Sequence, residues 1–200
     1  MVTTARDRLM DALEDARKVQ AEAMRRRGAP LASPFRDEWE FLTTACWTKD
    51  EASGRVRQFP SLQHLRWLTE ERPKHKVFAV DKSRRMLITW WGCALYLYDI
   101  MTRANHADWV ASDKLEKSAY LLGPERMLFI YDHIPVVLWP EKPEVVAEGK
   151  RGMGYERLRC PATGSYVQAV ARGESQMQQY TATNVWCDEF SRWERAVESW

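Results

Sequence analysis

Apolar residues recur at helical spacing at the amino end, where Leu9, Leu13, Ala16, Val19 and Ala23 form one stripe among charged neighbours. That period predicts an amphipathic helix over 5–26. Arg25, Arg26 and Arg27, followed by Gly28 and Pro30, give it a stop. The stripe is expected to pack on its own domain, with docking of a partner protein as the alternative. Residues 31–60 are loop-rich, punctuated by Pro34, Gly54 and Pro60. "SLQHLRWLTEE" (61–71) predicts a short helix ended by Pro73, and "KVFAV" (76–80) is a short continuous apolar run of the kind found in a strand covered on both faces. A short cationic turn leads into an apolar helix of about four turns starting near Leu87.

The alternation continues downstream. "ADWVASD" (107–113) predicts a strand, and 114–134 a helix bent at Gly123-Pro124. A Pro- and Gly-rich connection spans 135–154. "YERLRCP" and "SYVQAVA" (155–161, 165–171) alternate like a hairpin around "ATG". "ESQMQQYT" is a polar helical turn, and "TNVWCDEF" (183–190) is a strand ending in two acids. Strands alternating with helices predict an α/β fold: a doubly wound, mostly parallel sheet with flanking helices and an inserted antiparallel hairpin. The chain divides into an amino-terminal helical segment, 1–30, and one domain, 31–200.

Composition narrows the chemistry. With 45% apolar residues and ten Trp the chain can build a core, and a net charge of +2 does not mark a nucleic-acid binder. Cys46, Cys93, Cys160 and Cys187 lie far apart, with no C-x-x-C pair and no His at ligand spacing. They are expected to be reduced core thiols. His64, His75, His106 and His133 are scattered, and the tryptophans are expected mainly in the core. The amino end is too charged for a signal peptide. The apolar run Met86 to Ile100 is shorter than the ~20 residues a membrane span needs.

Candidate chemistry lies in two places. A strand, a phosphate-binding turn and a helix make a P-loop, which ordinarily has Gly then Lys before Ser or Thr. Here Leu87 and Ile88 precede Thr89, but "DKSRRMLIT" supplies Lys82, Arg84 and Arg85, a helix start and the Thr89 hydroxyl. A lysine at the front of a tight loop has a stem long enough to reach the same phosphates. The second place is "VWCDEF". An apolar strand ending in Asp188 presents its carboxylate at the carboxyl edge of the sheet, where α/β ligands bind. Asp188 suits Mg²⁺ and Glu189 suits the attacking water, the division of labour of P-loop hydrolases. A solvated surface turn and a capping or salt-bridged acid pair are the bland readings of each motif. Their order along the chain, with a strand between, favours ATP hydrolysis.

These residues resemble the ATPase half of the large terminase subunit of tailed bacteriophages. "VDKSRRMLITWW" is similar to that family's deviant Walker A, with its lysine at the front as at Lys82 and an arginine after it as at Arg84. "VARGESQMQQYTATNVWCDEFSRWERAVESW" is similar to the approach to its Walker B and the run beyond, and "ADWVASDKLEKSAYLL" to the strand and helix between. "RQFPSLQHLRWL" occupies the place where the family sets a Gln near adenine, here Gln63. Leu87, where the family has Gly, is the main departure.

The resemblance, over roughly 35–200, implies a RecA-like P-loop NTPase and an ATP-driven DNA-packaging motor. It implies ATP and Mg²⁺, with Lys82, Ser83, Arg84, Arg85, Met86, Leu87, Ile88 and Thr89 around the phosphates. Arg84 or Arg85 would be the charge-stabilising arginine, Thr89 and Asp188 would organise Mg²⁺, and Glu189 would activate water. The implied partners are double-stranded DNA, the portal protein, the small terminase subunit and further copies in a ring, in the host cytoplasm at the procapsid. The family's domain continues past Walker B into further strands and a nuclease domain. The chain is therefore expected to be truncated, lacking the nuclease, with an exposed sheet edge and a tendency to self-associate. A helicase-type ATPase and a non-catalytic assembly module with a decayed loop stand as alternatives.

Overall fold

The computed structural model describes residues 33–50, 53–81, 86–171 and 182–189. The segment 1–30, Lys82, Ser83, Arg84 and Arg85, the polar turn 174–181 and the residues from Phe190 onward lie outside them.

The described chain opens with α1 (Glu38–Glu40), capped by the Asp37 carboxylate, which accepts the Glu40 N–H at 2.8 Å. It continues as a π-helical turn, Phe41–Ala45. β1 (Trp47–Lys49) and β2 (Val56–Gln58) form an antiparallel ribbon. α2 (Gln63–Glu71) buries Leu65 and Leu68, and Pro73 converts its end to a 3-10 turn, Arg72–Lys74. Then come α3 (Ile88–Thr102), β3 (Ala107–Ser112), α4 (Leu115–Leu121) and α5 (Met127–His133). β4 (Val146–Arg151), β5 (Gly154–Cys160), β6 (Ser165–Ala171) and β7 (Asn184–Cys187) complete the order.

The result is a mixed α/β fold around a five-stranded sheet of order β4-β5-β6-β3-β7. β3 runs parallel to both β6 and β7, while β4–β5 and β5–β6 are antiparallel. Alternation along β3 divides its side chains between two clusters. Val110 joins Leu158, Val167 and Ala169 in the main core with α3, α4 and α5. Trp109 and Ala111 join Val170 and Cys187 on the other face. Helix α3 is the centre of the main core, fully burying Leu95, Leu97, Ile100 and Met101. Each such side chain contributes roughly 1.5–3 kcal/mol of burial.

The expected bend at Gly123-Pro124 is the break between α4 and α5. Pro124 has no N–H to continue the helix, and a Cβ on Gly123 would lie 2.6 Å from the Met153 carbonyl oxygen. The hairpin expected around "ATG" is β5–β6. Two expectations are corrected. The connection 135–154 contains β4, an edge strand whose charged side chains hide the alternation of a half-buried strand; Arg159 of β5 meets its Glu148 at 2.8 Å. Residues 76–80 are not a strand. Val77 is 73% exposed, Phe78 packs on the ring of His75, and no described strand pairs with the segment. An apolar run becomes a strand only where a neighbour takes its N–H and C=O groups.

Three of the four cysteines are buried and all are free thiols, and Trp90, Trp91, Trp109 and Trp139 are buried as expected, whereas Trp67 is exposed. No helix among the described residues is long and apolar enough to cross a membrane.

Candidate active site

The site grows from one close approach. Trp186 of β7 lies against Gly92 of α3, so near that a Cβ there would stand 2.8 Å from the indole. Tyr96, one turn on, flanks the same ring at 5.8 Å between centroids. A strand alternates with period two, so Asp188 projects to the same side as Trp186. A helix brings Thr89, three residues before Gly92, to the same face. The Thr89 hydroxyl consequently faces the Asp188 carboxylate at 3.4 Å, across 99 residues of sequence.

Helix α3 is enclosed on every side, and of its fifteen residues Thr89 alone is not buried. The opening in its cover thus coincides with the acidic strand end. Asp188 is held in place by its N–H, which donates to the Ala111 carbonyl at 2.9 Å and extends the β3–β7 ladder one residue. Glu189 then leaves the strand with φ of 53°.

Leu87, at the N-cap of α3, has φ of 59° and ψ of 12° and gives the helix no side-chain cap. This is the left-handed region that glycine occupies at little cost and that other L-residues enter at about 1–2 kcal/mol. The backbone at Leu87 therefore takes a conformation that glycine adopts more readily, with a leucine carrying it. Among the described residues three non-glycine positions have positive φ, and two of them, Leu87 and Glu189, flank this site. The start of α3, where backbone N–H groups point out of the helix, is the kind of place that suits an anion.

Lys82, Ser83, Arg84 and Arg85 lie outside the described residues. Met86, Leu87 and Ile88 lead into α3, with Ile88 buried. Gln63 is exposed at the first position of α2, and His64 beside it ties that helix to the end of the cationic turn, its Nε2 lying 3.2 Å from the Met86 carbonyl oxygen. Two residues that the sequence did not assign to the site join it: Asp113, a candidate helix cap by sequence although Lys114 takes the N-cap of α4, and Lys117 of α4, whose ammonium lies 2.9 Å from Asp113 and 3.8 Å from Glu189. Lys117 holds the Asp113 carboxyl below its ordinary range. Their signal was present as an i, i+4 Asp–Lys pair at a strand–helix junction, but such pairs are common on any helix surface.

Among the described residues no group of three or more His, Cys, Asp and Glu side chains is placed to hold a metal ion. The Thr89–Asp188 pair nonetheless fits Mg²⁺, which takes hard oxygen donors and draws most of its shell from phosphates and water. Adjacent oxygens of its octahedron stand about 3 Å apart, close to the 3.4 Å observed. A separate cleft of about 360 Å³, lined by Lys49, Asp50, Gly54, Tyr120, Glu125 and Arg126, includes none of the candidate residues. No protein-family model matches the chain, and no curated protein matches it.

Proposed function

We propose that the chain is an ATPase, and specifically the ATP-hydrolysing portion of a viral DNA-packaging motor of the large terminase type. The observation that supports this most is the meeting of Thr89 and Asp188 at 3.4 Å, with Glu189 next in the chain and the amino end of α3 alongside. The two stretches that carry P-loop-like chemistry are 99 residues apart in sequence and adjacent in space.

In this reading the N–H groups at the start of α3 and the Lys82 ammonium receive the β- and γ-phosphates. Thr89 and Asp188 hold Mg²⁺, which when bound neutralises charge on the phosphate oxygens. Glu189 orients a water toward the γ-phosphorus and takes its proton. Arg84, or Arg85 beside it, meets the charge that develops on the transferring group, a role worth about 10³–10⁵ in rate. Gln63 is the candidate contact to adenine. The partners proposed are double-stranded DNA, a portal, a small terminase subunit and further copies of the chain in a ring.

Mg²⁺-ATP binding and turnover test the reading. Glu189→Gln is expected to keep nucleotide bound while lowering turnover by about 10²–10⁴, the contribution of a positioned general base. Lys82→Ala is expected to weaken binding. Parental turnover in Glu189→Gln would sink the proposal.

A further inference from the structure

Parallel pairing of β3 with β7, with Ala111 opposite Cys187, brings Asp113 and Glu189, each just past its strand, out at the same edge of the sheet, near enough to share the Lys117 ammonium. Carboxylates set this close repel one another unless a cation stands between them. Lys117 supplies one, its ammonium 2.9 Å from Asp113 and 3.8 Å from Glu189. We propose that Lys117 is a positioning residue for Glu189, its ammonium fixing the side to which that carboxylate turns; the proposal rests on the ATPase reading of the site.

A surface ion pair ordinarily achieves little, because two mobile side chains must be ordered to make it. Here the backbone under each partner is already fixed. Ser118, next to Lys117, is buried and donates to the Val170 carbonyl at 2.6 Å, which pins α4 to β6. Ala119 packs so closely on Gly154 that a Cβ there would lie 1.9 Å from its carbonyl oxygen. On the other side Glu189 follows the ladder bond of Asp188 and enters its left-handed turn directly. Asp113 also holds the ammonium, at 2.9 Å. The contact thus sets an angle between two rigid roots, which is what a water-orienting carboxylate requires. Misplacement of a reacting group by about 1 Å can cost 10²-fold in rate.

The test uses ATP turnover and Mg²⁺-ATP binding by the whole chain, with crystal structures of the parent and of Lys117→Met. Lys117→Met is expected to lower kcat about ten- to a hundredfold, leave KM and the thermal midpoint unchanged, and show the Glu189 carboxylate turned from its parental place. Lys117→Arg is expected to restore most of the rate. Asp113→Asn, which removes the anchor but keeps the ammonium, is expected to lower kcat less; this variant and Lys117→Arg decide the matter if Lys117→Met does not fold. A Lys117→Met enzyme with unchanged or raised kcat, or with Glu189 in its parental place, overturns the proposal. Turnover that Glu189→Gln abolishes but Lys117→Met spares removes Lys117 alone, whereas turnover insensitive to Glu189→Gln removes the ATPase reading first.

Discussion

Asp108 and Asp188 sit near opposite ends of the same pair of parallel strands, β3 and β7, in contrasting surroundings. At the amino end Asp108 is fully buried, accepts from Asn184 of β7 at 2.9 Å, and has His106 Nδ1 at 3.7 Å. Beyond it Asp99 of α3, also fully buried, is ion-paired with Arg72 and Arg103, and both arginines reach Glu38. At the carboxyl end Asp188 and Glu189 are half-buried, with a hydroxyl and an ammonium for company. One end holds charge in the interior; the other holds its charge near water and stores its unfavourable energy in the backbone, at Leu87 and Glu189. Charge in the interior fixes structure, whereas charge at an open edge with a strained backbone is available to a ligand.

The largest effect expected from this contrast is on stability at the buried end. Arg72→Ala removes the more buried of the two guanidiniums that Asp99 and Glu38 share, leaving Arg103 to both, and is expected to cost up to about 3–5 kcal/mol, the loss when one partner of a buried pair is removed. Asp188→Asn, at the open end, is expected to change stability by less than about 1 kcal/mol. Urea unfolding of the two variants measures both. Equal losses would erase the distinction between the ends.

The next effect is in pH. Burial, reinforced by the nearby Asp99, pushes the Asp108 carboxyl up to about 7 from an ordinary 3.8. Between those values the folded chain holds a proton that the unfolded chain has lost, so this group's contribution to stability is full below about pH 4. It is lost as pH rises through 7. The ceiling is about 4 kcal/mol at 1.36 kcal/mol per unit. His106, held below its ordinary value by burial, acts in the opposite sense, removing stability as pH falls below 6.5. Asp108→Asn keeps an acceptor for Asn184 and carries no charge. It is expected to match the parent near pH 4 and to exceed it by a growing margin toward pH 8 in urea midpoint. A variant less stable than the parent at pH 8 would mean that the interior tolerates the ionised carboxylate.

What the sequence disclosed follows the same division. Helix α3, β3, the α4–α5 bend, the β5–β6 hairpin and β7 were legible because their local patterns agree with their final environments. Segment 76–80 has the composition of a buried strand, but strand formation depends on a neighbour that no local pattern specifies. β4 was hidden for the converse reason, since an edge strand that faces water needs no apolar alternation. At the candidate site Thr89, Asp188 and Glu189 were named from motif order alone. Asp113 and Lys117 were not, because what joins them to Glu189 is the register of β3 on β7, a property of the pairing rather than of either strand. The buried network was likewise invisible: Arg72, Asp99 and Asp108 resemble ordinary surface charges until the fold encloses them.

The smallest effect separates backbone strain from side-chain packing at Leu87. Leu87→Gly relieves a left-handed conformation worth about 1–2 kcal/mol. It also loosens the unfolded chain by roughly 0.5–1 kcal/mol and gives up the packing of a partly buried leucine on the core. The three terms nearly cancel, so a stability near the parent's is expected. Leu87→Ala loses the packing and keeps the strain. Glycine is therefore expected to exceed alanine at this position by about 1 kcal/mol, the reverse of their order inside a helix, where alanine leads by a similar margin. Alanine at or above glycine in urea unfolding would show that Leu87 is not strained, and the contrast between a charge-storing end and a strain-storing end would then rest on Glu189 alone.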